Sequence, residues 1–532
     1  MRVDWRRPLI YAHRWLGIAG GVVFVTWFAS GIVMMYARMP ELTADERLAR
    51  LAPIDLSRAR VSIADAAREA AACGEGGQPC DRVRISMLGD RPVYRVQSRG
   101  GWTTIFADTG EPFRGLTPDQ AIDLARRFAP EHASTLRYDA LLTDPDQWTV
   151  SGDARRAMPL HRLALGDPQD TNIYISDKTG DVVMKTTGSS RRWAYAGAVL
   201  HWLYFTPLRR HGPLWTQVII WSSLTGCVMC LTGLVWGVFR YSPSARYRLK
   251  REQSHTPYAG LMRWHHYAGL IVGLASFTWI FSGLLSMDPV AWVPGTAPTR
   301  QQRDAVAGGK LRVDAITIDR VRAALGPERA ALRPDAVEIA RPFQGREAAK
   351  EIDVAQFRGE PFLVTDDAPV RFDRETMLAA ARGAMPDADV VDAAWLEQYD
   401  AYYYDRSRAL SLPVLRVRYA DPQRTWLYLD PRRGAIVRKE ERLTRVNRWL
   451  YHGLHSLDFP FLYYRRPLWD LVVIALSIGG IVLSATTLIP AVHRLRRHVR
   501  RIRGERYACR TDDRAAGRAG DRPGRRGLGG IM

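Results

Sequence analysis

The chain is poor in the residues that most redox and nucleotide chemistry relies on. Its 532 residues include five cysteines and no C-x-x-C-H, which excludes a covalently attached c-type haem. Cys73 and Cys80 lie in a Gly/Pro loop and can pair only if that loop is outside the cytosol. Cys227 and Cys230 sit inside a hydrophobic run, where a C-x-x-C reads as packing. No G-x-G-x-x-G follows a strand, so no dinucleotide-binding unit is expected. No basic stretch is interleaved with aromatics in the manner of a nucleic-acid module, so nucleic acid is excluded as a partner. The hydrophobic runs hold no Asp or Glu except Asp470 at an edge, which disfavours a carboxylate-rich metal centre. The N-terminus has a basic start and a long apolar run but no small-residue cleavage site, and reads as an uncleaved signal-anchor.

What is present is duplication. Ala12 to Met35, AHRWLGIAGGVVFVTWFASGIVMM, reappears as WHHYAGLIVGLASFTWIFSGLLSM from Trp264 to Met287. At one fixed offset His13 meets His265, Gly17 meets Gly269, and Thr26-Trp27 meets Thr278-Trp279. Ser30-Gly31 meets Ser282-Gly283. Both copies are uncharged beyond the first turn and about 20 residues long, enough to cross roughly 30 Å of hydrocarbon as helices.

A length of 532 residues calls for several domains. The chain carries 76 Lys+Arg against 55 Asp+Glu, and much of the excess lies at Arg2–Arg14, Arg240–Arg263 and Arg494–Arg510. All three clusters flank apolar spans, which is the positive-inside pattern of a multi-pass membrane protein. Residues 1–37 hold a cytosolic N-terminus and a first span near Leu16–Tyr36. Residues 38–190 form a first outer domain of mixed α/β pattern. Residues 191–240 hold an aromatic interfacial segment and a second span near Leu214–Phe239. Residues 241–263 form a basic cytosolic loop. Residues 264–289 hold the third span, near Tyr267–Met287, and 290–445 a second outer α/β domain. Residues 446–493 hold another interfacial segment and a fourth span near Leu471–Val492. Residues 494–532 form a basic tail, expected to be disordered in its Arg/Gly-rich part from 504.

Local patterns predict helices over Ser62–Ala72, Thr117–Phe128 and Arg374–Arg382. Strands are expected at Pro92–Val96, Thr103–Ala107, Val414–Tyr419 and Thr425–Leu429. Asn172–Ser176 and Asp181–Met184 should form a hairpin about Asp177–Gly180. The duplication continues here. Arg162 matches Arg416, Asp167-Pro168-Gln169 matches Asp421-Pro422-Gln423, and Tyr174 matches Tyr428. His201 matches His455, and Pro213-Leu214-Trp215 matches Pro467-Leu468-Trp469. Each half runs span, outer domain, span in one direction, so the repeats are parallel and related by an axis along the membrane normal.

Such an axis puts matched residues at equal depth. His13 and His265 open the outgoing helices, and His201 and His455 precede the returning ones. At 100° per residue, Gly17, Gly20, Phe24, Trp27 and Gly31 fall within about 40° of His13. Gly269, Val272, Ser276, Trp279 and Gly283 do the same for His265. A glycine one turn from a histidine leaves a flat gap wide enough for a planar ligand. Small residues on a spanning helix also serve plain helix packing, but an ionisable residue in a span marks a functional site. Two imidazoles across a flat cavity form the axial set of a non-covalent b-type haem, so two haems are expected, with iron held by His13 with His265 and by His201 with His455. Trp27 and Trp279 would lie about 21 Å up their helices from these histidines. His266 competes with His265, although the repeat favours His265. His452 shares a face with His455, and either can ligate. Arg209, Arg210, Arg465 and Arg466, on the outer side, are candidates for haem propionates or an anionic substrate. Trp148, Tyr402, Tyr403, Tyr404 and Arg406 are weaker candidates for a substrate surface.

The H-R-W-L-G start at His13, the H-H-Y-A-G-L start at His265, the G-L-H-S-L at His455 and the D-x-T-G-like hairpin ends together resemble the PepSY-associated transmembrane family, from Arg6 to about Arg503. That family includes inner-membrane ferric-siderophore reductases of Gram-negative bacteria. The resemblance implies an α-helical membrane protein with four transmembrane helices in two parallel repeats, plus two α/β PepSY-like extracytoplasmic domains. It implies two b haems, both termini cytosolic, the outer domains periplasmic, and reduction of a ferric chelate or siderophore in iron acquisition. With no flavin or nicotinamide module in the chain, the electron donor would be a separate flavoprotein or a membrane quinol. The alternative is a membrane-anchored PepSY binding or regulatory protein without redox activity. A transporter fits less well, since no span is broken and none carries a mid-depth charge.

Overall fold

The computed structural model describes residues 5–73, 80–98, 101–249, 252–325, 349–364, 372–405 and 410–519. The chain divides into two compact units. One comprises Met1–Ala29, Trp221–Phe281 and Leu471–Met532, the other Ser30–Ile220 and Ser282–Asp470.

The first unit is helical apart from two short paired strands, β8 (Tyr247–Leu249) and β9 (Glu252–Ser254). Four helices are long and apolar enough to cross a membrane: α1 (Arg6–Met34), α2 (Gly212–Arg240), α3 (Leu261–Leu285) and α4 (Leu468–Ala519), whose apolar part ends near Arg497. In hydrocarbon every backbone N–H and C=O must be paired within the segment, so glycine-rich apolar runs of this length take the helix. Large apolar side chains such as Val22, Trp221, Leu274 and Leu471 point outward, and Ile271 is 79% exposed. A belt of this kind is a liability in water and suits lipid. Inside, the helices touch through glycine. A Cβ on Gly226 would lie 2.9 Å from Ile280, and one on Gly480 would lie 2.7 Å from Phe28. The backbones approach because those positions carry no side chain. α1 starts at Arg6, ahead of the expected Leu16, because the basic residues of its first turns do not interrupt a helix. α4 likewise continues to Ala519 through the basic segment expected to be disordered from 504, and residues 520–532 lie outside the described set.

The second unit is built on three antiparallel sheets. The expected local elements appear: helices at Ile63–Cys73, Pro118–Phe128 and Arg374–Ala384, with Thr117 and Gln120 forming a capping box. One sheet is the meander β4 (Arg137–Leu142), β5 (Leu160–Ala164), β6 (Asn172–Ser176) and β7 (Val182–Thr186), packed on Pro118–Phe128. A second has the same form in the later segment: β12 (Val390–Leu396), β13 (Val414–Tyr419), β14 (Trp426–Asp430) and β15 (Ala435–Glu440), packed on Arg374–Ala384. In the first, Arg162 stands opposite Tyr174 and both reach Asp146, at 3.3 and 3.0 Å. In the second, Arg416 stands opposite Tyr428 and both reach Asp400, at 3.1 and 3.0 Å. Burial beside these carboxylates pushes both phenols well above their ordinary range.

The third sheet joins a segment before α2 to one after α3. β1 (Arg82–Leu88), β2 (Arg91–Ser98) and β3 (Gly101–Phe106) continue through β10 (Glu351–Phe357) into β11 (Glu360–Val364), with Val83 opposite Val354. Their apolar face packs on Ile63, Ala66 and Ala70. The boundary expected between an outer domain at 38–190 and another at 290–445 is therefore bridged by a shared sheet. Charge ties the same strands, as Arg84 and Arg82 both pair with Asp353.

The two aromatic segments end alike. A helix over Gly188–Ala194 runs through a π turn, Tyr195–Val199, into Leu200–Trp202, and stops at Leu203 in the left-handed region (φ 52°). The later segment does so over Arg442–Asn447, Arg448–Gly453 and Leu454–Ser456, stopping at Leu457 (φ 49°). Leucine adopts that conformation only when its surroundings impose it. Here the indole N–H groups of Trp215 and Trp469 donate to the carbonyls of Trp202 and Ser456, at 2.8 and 2.9 Å. The stop leaves His201 and His455 in the last turn of each segment.

Candidate functional site: two facing histidine pairs

In the helical unit, α1 presents His13 and α3 presents His265, with ring centroids 6.0 Å apart. His13 Nδ1 lies 2.9 Å from the carbonyl of Met229, and His265 Nδ1 lies 3.1 Å from the carbonyl of Leu483 and 3.2 Å from Thr486 Oγ1. A carbonyl only accepts, so Nδ1 carries the proton in both rings and the Nε2 lone pair is left for a ligand. The pair opens on a cavity of about 380 Å³. Its walls are largely apolar, with glycines from three helices: Gly17 and Gly21, Gly233 and Gly237, Gly269 and Gly273. A Cβ on Gly233 would fall 2.5 Å from His13 Cε1, so only glycine leaves that ring its place.

In the second unit, His201 and His455 face each other with centroids 6.1 Å apart. Ser30 Oγ is 3.2 Å from His201 Nδ1, and Ser282 Oγ is 3.1 Å from His455 Nδ1. Gly31 and Gly283 back these rings, where a Cβ would make ordinary contact at 3.5 and 3.6 Å. Both serines are fully buried.

These contacts bear on two choices left open by the residues. His266 Nε2 donates to the Gly237 carbonyl at 2.8 Å, and its Nδ1 bonds Thr256 Oγ1 at 2.7 Å. With both nitrogens engaged, His266 is a packing residue, and His265 is the partner of His13. His455 faces His201, and the Tyr451 ring lies against both His452 and His455, with centroids 4.6 and 5.5 Å apart. The four arginines at 209, 210, 465 and 466 are mostly engaged. Arg209 stacks on Tyr204 and Trp215, Arg210 donates to the Pro145 carbonyl, and Arg466 pairs with Asp470 at 2.7 Å. Arg465 is exposed. Trp27 packs on Phe24 and Trp279 on Phe28. Tyr402, Tyr403 and Tyr404 are held by Trp449, the Ser411 carbonyl and Asp458, and Trp148 packs on Tyr195. Arg406 lies outside the described residues. Cys80 is a half-buried thiol whose pKa burial pushes up to about 11, and the Cys73 side chain lies outside the described residues.

The donor set fits a metal held by two imidazoles. With each Nε2 about 2.0 Å from one metal, the ring centroids stand about 6 Å apart, matching the 6.0 and 6.1 Å of the two pairs. Planar room fits as well, since glycine lines the space beside His13 and His265. Fixing Nδ1 by a carbonyl or hydroxyl is how proteins orient histidine ligands. The serines at 30 and 282 were visible in the repeat as matched residues without a role. The Met229 and Leu483 carbonyls have no side-chain signature and could not have been found that way. Arg14 and Arg494, which also line the cavity, read in the sequence only as topology charges.

The chain matches no known protein-family model and no curated protein.

Proposed function

We propose that the protein is a bacterial inner-membrane electron carrier with two non-covalent b-type haems, reducing periplasmic ferric chelates such as siderophore iron. The support is one repeated observation: two imidazole pairs at 6.0 and 6.1 Å, each ring tied through Nδ1. His13 with His265, and His201 with His455, would hold the two irons. Haem bound this way supplies reversible one-electron chemistry. The chain's own part is to hold the imidazoles oriented through Nδ1, to keep water out with apolar walls, and to leave glycine where the ring plane needs room. In this reading the parallel repeats, the PepSY-like outer domains and the ferric-siderophore reductase resemblance belong together. The basic flanks support a cytosolic position for both termini. A separate flavoprotein or membrane quinol would supply electrons, and iron in its ferrous state leaves a hard oxygen chelator more readily.

The test is a visible spectrum of the full chain purified from membranes with haem supplied. Two equivalents of haem per chain and a Soret band shifting on dithionite reduction are expected, with His13→Ala losing one equivalent and His201→Ala the other. A chain without a Soret band would leave a membrane-anchored binding or regulatory protein. Accessibility labelling checks the topology: a cysteine at Gly152 should react from the periplasm and one at Ser244 from the cytosol, and the reverse result sinks the assignment.

A further inference from the structure

The cavity that holds His13 and His265 has two lining residues of fixed charge among those described, Arg14 and Arg494. Both are exposed at its edge. Arg14 follows His13 directly on α1 and its guanidinium lies 5.7 Å from the Tyr11 ring. Arg494 comes from α4, on the face that also supplies Leu483, Thr487, Pro490 and Ala491 to the cavity wall. The distance along α4 is informative. Leu483, whose carbonyl accepts from His265 Nδ1, is about three turns before Arg494, or roughly 16 Å at 1.5 Å per residue. A helical side chain leans toward the N-terminus of its own helix, and arginine is long. Arg494 is therefore placed to reach back toward the histidine level, past Pro490 and Ala491 on the same cavity wall. The walls between are apolar, so an anion in the cavity meets favourable charge only at this edge.

We infer that Arg14 and Arg494 form a cation clamp for the two carboxylates on one edge of a porphyrin seated between His13 and His265. The inference rests on the haem reading above. The clamp is single. At the offset that matches His13 with His265, Arg14 corresponds to His266, whose two ring nitrogens are engaged by Thr256 and Gly237. At the offset that matches His201 with His455, Arg494 corresponds to Arg240, which lies over Trp236 and Tyr247 at 5.6 Å. One such pair suits one dianionic edge and fixes which way a flat ligand faces. The same chemistry would also attract lipid phosphate, and esterifying the porphyrin carboxylates separates the two sources.

The experiment uses the full chain in detergent, prepared under haem limitation and carrying His455→Ala, so that one site is read. It is titrated with iron protoporphyrin IX and with its dimethyl ester, following the Soret band. Haem should bind about tenfold or more tightly than the ester, the weight of one charge-assisted contact. Arg14→Leu/Arg494→Leu should bind haem as weakly as ester, and Arg14→Lys/Arg494→Lys should keep most of the preference. The propionate bending bands in the resonance Raman spectrum should shift in the leucine variant. Equal binding of haem and ester, or an undiminished preference in the leucine variant, overturns the clamp and leaves the arginines to lipid headgroups. Haem uptake without discrimination overturns this inference alone. No uptake, in this background and in the unmodified chain, overturns the haem reading together with it.

Discussion

His13 donates its Nδ1 proton to the main-chain carbonyl of Met229 at 2.9 Å. The acceptor belongs to the helix backbone, so no side-chain substitution removes it. His265 repeats the arrangement with the carbonyl of Leu483 and adds a second partner, Thr486. The His201–His455 pair is built otherwise, with serine hydroxyls against both Nδ1 atoms. The two sites should therefore respond differently to mutation.

Ser282→Ala takes the hydroxyl from His455 Nδ1 and should weaken haem binding at that site by about tenfold, the usual cost of losing a ligand's orienting partner. Thr486→Val leaves His265 its Leu483 carbonyl and should cost no more than a few-fold. Haem titration of the two variants side by side reads the difference. Equal losses would mean that backbone and hydroxyl partners do not divide the sites in this way.

Asp146 and Asp400 occupy the same place in two sheets, each accepting from an arginine and a buried tyrosine. Asp146→Ala takes the Asp146 acceptor from the buried Tyr174 hydroxyl and leaves Arg162 paired with Asp139, and Asp400→Ala takes the Asp400 acceptor from the buried Tyr428 hydroxyl and leaves Arg416 near Asp392. The pairs are partly exposed, so the cost sits at the low end for a broken network, about 2 kcal/mol each. Thermal melts should show similar drops for the two variants. A large drop in one and none in the other would mean that the sheets are not equivalent in energy.

Much of this architecture was legible because the signals are local or repeated. Thr117 through Gln120 spells a capping box, Asp177–Gly180 spells a tight turn, and the spans declare themselves by length and lack of charge. The histidine pairs were legible because the repeat supplies both members. What escaped depends on distance along the chain. Val83 opposite Val354 joins strands from different halves, and nothing near either residue names its partner. The Met229 carbonyl is a backbone group that any residue would provide. Pattern alone could not separate His452 from His455, because they share a helical face; the π turn over Arg448–Gly453 and the stop at Leu457 decide which ring meets His201.

Asp108 gives a pH dependence with a definite sign. The Arg91 guanidinium, 2.6 Å away, holds its carboxyl below the usual carboxylate range. A carboxyl depressed in the folded state adds stability above its unfolded pKa of about 3.9 and loses it as pH falls through the folded value. Asp108→Asn should thus be less stable near neutral pH and should lose less on acidification to about pH 3. Denaturant melts at both pH values measure this, and an acid loss as steep as in the unmodified chain would remove Asp108 from the account.

Two glycine-to-alanine changes separate a tight place from a loose one. At Gly233 the new Cβ would sit 2.5 Å from His13 Cε1 and 2.7 Å from Nδ1, distances real atoms do not tolerate. His13 cannot swing aside without giving up the Met229 carbonyl, so Gly233→Ala should abolish the site shared with His265. At Gly31 the Cβ would meet His201 at 3.5 Å, an ordinary contact, and that site should survive. Alanine also favours the helix by about 1 kcal/mol over glycine, so neither variant need unfold. The informative result is Gly233→Ala folding normally and binding one haem, while Gly31→Ala binds two. Two equivalents in both would show that His13 does not pack on α2 at this position.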